Sequence, residues 1–325
     1  MLAALDKRAD LLRRLRAFFY ERGFLEVETP LVSDEVIPEL HIEPLQLGDC
    51  PLFLPARSSP GDNQKQEKGT VPLASWWLQA SPELHMKRLL AAGATAIFQV
   101  TRSFRAGERG RLHNPEFTIV EWYRVGDDMW AGIDLVDEMM QRLLGTQRAI
   151  RTSYRDAFEK HCGINPHQAT LRDLAAKAAV LDFGSQRTDR DEWLNVMLAT
   201  QVEPHLGLEQ PEFIYHYPAT QAALARTTSS SDGFAVAERF ELYYRGVELA
   251  NGYRELTDAA EQRRRFENVN AGRIADGRPA LPIPESLLRA LDKGIPDCTG
   301  VALGFDRLAM LAIGGASIDE VLSFP

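Results

Sequence analysis

The stretch FRAGERGRLHNPEFTIVEWYR, Phe104 to Arg124, combines four arginines with a His-Asn-Pro-Glu-Phe run and well-spaced carboxylates. Arginine offers a planar fork of donors that grips phosphate or carboxylate oxygens in pairs. Arg105 ends the first of two strand-like segments and is a candidate phosphate ligand. Alternation along EFTIVEWYR puts Phe117, Ile119, Glu121 and Tyr123 on one face, with Thr118, Val120 and Trp122 on the other. A face holding a carboxylate, a phenol and an aromatic is costly to bury unless something cationic and something flat cover it. The competing reading is a surface ribbon with chance charges.

A second cluster is RFELYYRGVELANGYRELTD, starting at Arg239. A two-residue turn at Arg245-Gly246 pairs Tyr244 with Val247, Tyr243 with Glu248 and Glu241 with Ala250. Glu241 and Glu248 then become diagonal neighbours on one face. Two carboxylates that close repel unless a cation lies between them, and Mg²⁺ with phosphate oxygens is a common solution. Asn251, Tyr253 and Glu255 have the opposite parity, so one shared site requires a bulge or kink, expected at Gly252. The competing reading is a pair of solvent-facing glutamates. In a third cluster, GVALGFDRLAMLAIG, Gly304 lets a flat ligand approach the backbone. Asp306 is placed to start a helix, and Arg307 stands in its first turn, where the helix dipole also favours an anion. The alternative is an arginine that pairs with a surface carboxylate.

The elements that must position these residues are legible. DKRADLLRRLRAFFYERG reads as an amphipathic helix with Leu11, Leu12, Leu15, Phe18 and Phe19 on one face and Gly23 as its stop. FLEVETP follows as a strand, and residues 55–72 read as a mobile surface loop. In SPELHMKRLLAAG, Ser81 caps a helix, Pro82 opens it and Gly93 ends it. AIFQVTRSFR and EFTIVEWYR are strands, and about 127–200 is mostly helical. FIYHYP, RFELYYRG and VELANGY are strands, DAAEQRRRFENVNAGR is a helix, and CTGVALGFDRLAMLAIGG is a strand running into a helix. Helices and mainly antiparallel strands in separate runs predict an α+β fold.

With 325 residues, 45% hydrophobic and 26% charged, the chain has the composition of a globular enzyme. A net charge of −9 argues against a bare nucleic-acid-binding protein. No segment reads as a signal peptide or a membrane span, and Cys50, Cys162 and Cys298 read as reduced thiols. A cytoplasmic protein with no membrane partner is the expectation.

In order and spacing the three clusters resemble the signature motifs of class II aminoacyl-tRNA synthetases. The helix and strand ending at Pro30 resemble motif 1, the dimer-forming element. FRAGERGRLHNPEFTIVEWYR resembles motif 2 and GVALGFDRLAML motif 3, while SPELHMKRLL, HNPEFT and ELANGYREL are similar to the lysine-specific branch. The resemblance covers nearly the whole chain and implies one catalytic domain over 1–325, a mainly antiparallel sheet flanked by helices, and a homodimer. It implies that Arg105 holds the α-phosphate of ATP and Arg307 the γ-phosphate, as the catalytic residues. By the same match His113, Asn114, Phe117, Leu249 and Gly304 line the ATP site, and Glu241 and Glu248 hold Mg²⁺ and phosphates. Ser81, Glu83, Glu121, Tyr123, Asn251, Tyr253, Glu255 and Ala302 surround the amino acid, whose two ammonium groups suit the excess of carboxylates.

Three departures from lysyl-tRNA synthetases matter. There is no room for an N-terminal anticodon-binding barrel, so the chain is more similar to the elongation factor P–lysine ligases. That family activates lysine or β-lysine as the adenylate and passes it to a lysine of elongation factor P, with no tRNA expected. Ala302 stands where the synthetases have glycine. Gly107 stands where motif 2 usually has glutamate, leaving adenine recognition to a shifted Glu108 or to a backbone carbonyl. The alternatives are a free-standing enzyme that charges tRNA or makes an amide on a small molecule, and a non-catalytic regulatory paralogue.

Overall fold

The computed structural model describes residues 2–47, 76–178 and 189–325; the loop expected at 55–72 and Cys50 lie outside them. Among the described residues the chain runs α1 (Leu2–Tyr20), β1 (Leu25–Glu26), β2 (Val32–Ser33), β3 (Trp77–Leu78), α2 (Glu83–Ala91), β4 (Ala96–Phe104), β5 (Glu116–Val125) and α3 (Met129–Leu144). It continues through β6 (Ile150–Ser153), α4 (Tyr154–Cys162), α5 (Leu171–Ala178), α6 (Arg190–Met197), β7 (Glu212–Tyr215), β8 (Thr227–Ser229) and β9 (Ala235–Ala237). It closes with β10 (Arg239–Tyr244), β11 (Val247–Arg254), α7 (Ala259–Ala275), α8 (Glu285–Gly294), β12 (Cys298–Gly304) and α9 (Phe305–Ile313).

Eight strands form one sheet in the order β1-β4-β5-β12-β11-β10-β7-β6. The six inner strands pair antiparallel, and β1 and β6 add parallel edges. This is the α+β architecture expected. The expected strand FLEVETP shrinks to Leu25–Glu26, with one further bond from Val27 N to Phe98 O before Pro30, which has no donor to offer.

The two faces of the sheet have different fates. On one, Val120 and Trp122 of β5, Val301 and Leu303 of β12 and Phe240 of β10 pack against Leu15, Phe18 and Phe19 of α1 and the apolar stripes of α3 and α9. Each large side chain buried this way stabilises by roughly 1.5–3 kcal/mol. Among the described residues, the other face is covered at its ends. Tyr154, Trp193, Tyr217 and Tyr243 form a cluster under α4 and α6, and Met86, Leu90, Ile97, Leu287 and Leu291 form another between α2 and α8. Between those clusters no described residue covers the middle strands, and that gap is the cavity described below.

The turn at Arg245-Gly246 forms as expected, with positive φ at both residues. Tyr244 faces Val247 and Tyr243 faces Glu248, but the register then shifts, so Leu242 pairs with Ala250 and Glu241 with Asn251 rather than Ala250. The irregularity is a bulge at Leu249, not a kink at Gly252. Leu249 and Ala250 both pack into the core, and Gly252 stays in regular register because its missing side chain makes room for the Phe240 ring. A Cβ there would stand 2.3 Å from that ring. The bulge brings Glu248, Asn251, Tyr253 and Glu255 onto one face.

Candidate active site

The register lines up a row across the open face: Gln99 of β4, Glu121 of β5, Ala302 of β12, Asn251 of β11 and Glu241 of β10. A second row holds Tyr123, Gly300, Tyr253 and Arg239. Above them α2 presents Glu83 and Lys87. Together with the β4–β5 loop and the start of α9, these rows enclose a cavity of about 310 Å³.

One end of the cavity is acidic. Lys87, fully buried, places its ammonium 2.6 Å from both Glu83 and Glu255. Burial alone would lower its pKa, but the two carboxylates outweigh that and raise it. Glu121 accepts from the Ser81 hydroxyl at 2.7 Å and the Tyr123 hydroxyl at 2.6 Å. Burial and the nearby Glu83 push its carboxyl up to about 8. Burial likewise carries Glu255 to about 7, against the pull of Lys87. The chamber thus holds more carboxylates than Lys87 can neutralise, and part of the excess is carried as protons. Gly300 makes this possible, because a Cβ there would stand 2.3 Å from both Glu255 Oε1 and the Tyr123 ring.

The other end is basic. Arg105 lies over the Phe117 ring, 5.0 Å from its centroid, and 3.8 Å from Glu108. Arg307 donates to the Glu248 backbone carbonyl at 2.9 Å and to its carboxylate at 3.2 Å. It also meets His113 Nε2 at 2.7 Å, where burial and the guanidinium hold the imidazole below its usual pKa and therefore neutral as an acceptor. Asn114 donates to Glu116 O at 2.7 Å and shapes the turn. Gly107 has φ +78°, a conformation L-residues rarely adopt, and it turns the chain so that the next residue, Glu108, lines the cavity.

A family model for tRNA synthetases class II (D, K and N) matches residues 1–325. The chain belongs to this family. It is 48% identical over 321 residues to a protein of Klebsiella pneumoniae named elongation factor P–(R)-β-lysine ligase, covering 98% of this chain and 93% of the relative. A protein of the same name from Salmonella paratyphi B is 47% identical over the same shares.

Within this class II framework, all but one of the residues predicted from sequence line the cavity. Arg105, His113, Asn114, Phe117, Glu248, Leu249, Gly304 and Arg307 lie towards the basic end or the floor. Ser81, Glu83, Glu121, Tyr123, Asn251, Tyr253, Glu255 and Ala302 surround the acidic chamber. Glu241 is the exception. It lies on the same face but outside the cavity lining, beside the cluster under α4 and α6, where Arg239 and the hydroxyls of Tyr217 (2.5 Å) and Tyr243 (2.6 Å) take up its oxygens. Burial alone would raise its carboxyl, but Arg239 and the tyrosines outweigh it and hold the group below the usual range.

Asp306 also departs from expectation. The helix α9 begins at Phe305 without a side-chain cap, and the Asp306 carboxylate accepts instead from Thr118 N at 2.8 Å and pairs with Arg8 at 2.6 Å. It ties α1, β5 and α9 together. Lys87, Arg239, Glu203 and Glu39 were missed. Lys87 had a signal, since it lies four residues after Glu83 on one helix, and Arg239 shares the parity of Glu241 on its strand. Glu203 and Glu39 lie outside any periodic pattern.

Proposed function

We propose that this chain is an ATP-dependent ligase that activates lysine or β-lysine as the adenylate, releases pyrophosphate and transfers the acyl group to a lysine side chain of elongation factor P. The observation that carries this reading is a chamber with surplus carboxylates joined to a pair of arginines in one cavity. A diamino acid supplies the missing positive charge, and its carboxylate then points towards Arg105. That carboxylate attacks the α-phosphorus of ATP as the bond to the bridging β-phosphate oxygen breaks. The acceptor amine next attacks the acyl carbon, and AMP leaves. Arg105 holds the α-phosphate and Arg307 the γ-phosphate, with Phe117 under the adenine. Their fixed charges stabilise the negative charge that develops in transfer.

Mg²⁺ typically binds through one or two carboxylates plus substrate phosphates rather than through a cage built from protein alone. The residues here suit that mode. Glu248 faces the cavity, and burial with repulsion from Glu241 and Glu248 pushes Glu203 up to about 7, a locally excessive negative charge. Among the described residues no group of three acidic or histidine side chains forms a complete metal site. Mg²⁺ entering with ATP would be held by Glu248, with Glu241 behind it, and would neutralise phosphate charge.

The relatives named for elongation factor P favour a protein acceptor over tRNA. Leu2, Tyr20 and Leu25, exposed along α1 and β1, support a homodimer built on motif 1. No helix among the described residues is long and apolar enough to cross a membrane, in keeping with a cytoplasmic enzyme acting as one catalytic domain. The test is ATP–pyrophosphate exchange with α-lysine and β-lysine, followed by labelled transfer to elongation factor P or tRNA. Exchange with β-lysine and transfer to the protein are expected, and absence of exchange with either amino acid sinks the reading.

A further inference from the structure

Among the described residues, one acidic side chain in the cavity has no partner. Glu35 is held by Ser286, Glu83 and Glu255 by Lys87, and Glu121 by Ser81 and Tyr123; the other three have arginines beside them. Glu39 lines the same cavity and takes no hydrogen bond or ion pair through its carboxylate among the described residues. Glu39 is half-buried, so its carboxyl is reachable from the cavity and is free to form a charge-assisted contact with an arriving cation.

The position of Glu39 is fixed rather than accidental. Arg273 on α7 is fully buried and donates to the Glu39 backbone carbonyl at 3.2 Å, while also pairing with Glu43 at 3.0 Å. The same segment runs beside Arg105: Pro44 forms a bridge with Arg105, and Ala106 N donates to Glu43 O at 2.8 Å. Glu39 therefore stands where the acidic chamber meets the arginine that faces the phosphate. Its electrostatic neighbours agree, since Glu83 opposes its ionisation and Arg105 favours it, with burial dominant and the carboxyl pushed up to about 7.

A diamino acid bound for adenylation must bring its carboxylate to the Arg105 end. Its nearer amine, one or two carbons away, must then lie at the junction, and its far amine in the chamber of Glu121 and Glu255. Asn251 Oδ1, buried in the cavity and without a hydrogen-bond partner among the described residues, adds a neutral acceptor on the floor. We propose that Glu39 is a specificity-determining residue that binds the substrate's proximal ammonium, the one beside the reacting carboxylate. This rests on the diamino-acid reading above and says which carboxylate distinguishes such a substrate from one with a distal amine alone.

The test compares wild type with Glu39→Gln in pyrophosphate exchange. β-Lysine and α-lysine carry both amines, whereas 6-aminohexanoate, assayed as a substrate or as a competitive inhibitor, carries only the distal one. Loss of one charge-assisted contact predicts a KM for the two lysines raised about ten- to a hundred-fold. The constant for 6-aminohexanoate and the KM for ATP stay within about twofold of wild type, a change too small to represent a lost charged contact. The unchanged ATP constant also shows that the variant is folded, and Glu39→Asp should restore part of the affinity for the lysines. An unchanged KM for the lysines, or an equal rise for 6-aminohexanoate, overturns the assignment of Glu39 alone. Absence of exchange by the wild type with any lysine overturns the parent reading, and this one with it.

Discussion

Ala302 occupies the centre of the floor, in register with Glu121 on one side and Asn251 on the other. Its methyl lies in the cavity floor between two polar side chains. Removing it by Ala302→Gly widens the row by one methyl without touching a charge. A methyl in a binding pocket typically discriminates by about 1–3 kcal/mol. The expected outcome is a shift in relative kcat/KM from β-lysine towards α-lysine of about tenfold or more, measured by pyrophosphate exchange with each. An unchanged ratio would make Ala302 a packing residue. At this scale the sequence was informative wherever strand parity applied, because alternation alone separated Glu121 and Tyr123 from Trp122 and Val120. It failed for Glu39 and Glu203, whose placement depends on contacts from distant segments such as Arg273 and Tyr243.

Strands β11 and β12 turn that parity into a site through two glycines with opposite duties. Gly252 faces the core, where a Cβ would stand 2.3 Å from the fully buried Phe240 ring; Gly300 faces the cavity, where it would collide with Tyr123 and Glu255. Gly252→Ala should therefore act on stability, by roughly 1–3 kcal/mol for overpacking a closed core, seen as a lowered midpoint in denaturant unfolding. Gly300→Ala should act mainly on the KM for the amino acid, because what must move is the chamber wall. A reversed pattern, with Gly300→Ala the more unstable and Gly252→Ala the weaker binder, would show that the two faces are assigned the wrong way round. The hairpin turn was legible because Arg245-Gly246 has room for only one tight geometry. The bulge was legible as a necessity, since five polar residues could not otherwise share a face. Its expected position at Gly252 was wrong on parity itself, because an extra residue there would leave Asn251 on the face opposite Glu248, whereas one at Leu249 aligns them. The short β6, which completes the sheet edge beside β7, carried no alternation long enough to read.

Across the whole molecule, the raised carboxyls couple ligand binding, stability and pH. Glu39, Glu203 and Glu255 sit at about 7 and Glu121 at about 8, all above an unfolded glutamate, so the folded chain holds extra protons between about 4.5 and 8. Their contribution to stability is full below that window and is lost as pH rises through it. Partly desolvated histidines run the other way. His85, His113, His161, His167 and His216 are lowered by burial, so their contribution is present above an ordinary histidine pKa and is lost as pH falls. The carboxyl effect is therefore isolated above about pH 6.5, and the thermal midpoint of the ligand-free protein should fall from there to pH 8.5. A diamino acid reverses the cause, because its ammonium groups favour the ionised carboxylates. Binding at pH 7 should release protons, read by calorimetry in buffers of different ionisation enthalpy, and saturating β-lysine should flatten the fall in thermal midpoint. Proton uptake on binding, or a midpoint in the free protein that rises between pH 6.5 and 8.5, would mean that the chamber is already ionised when empty. The surplus of carboxylates would then have to be balanced by something other than the substrate.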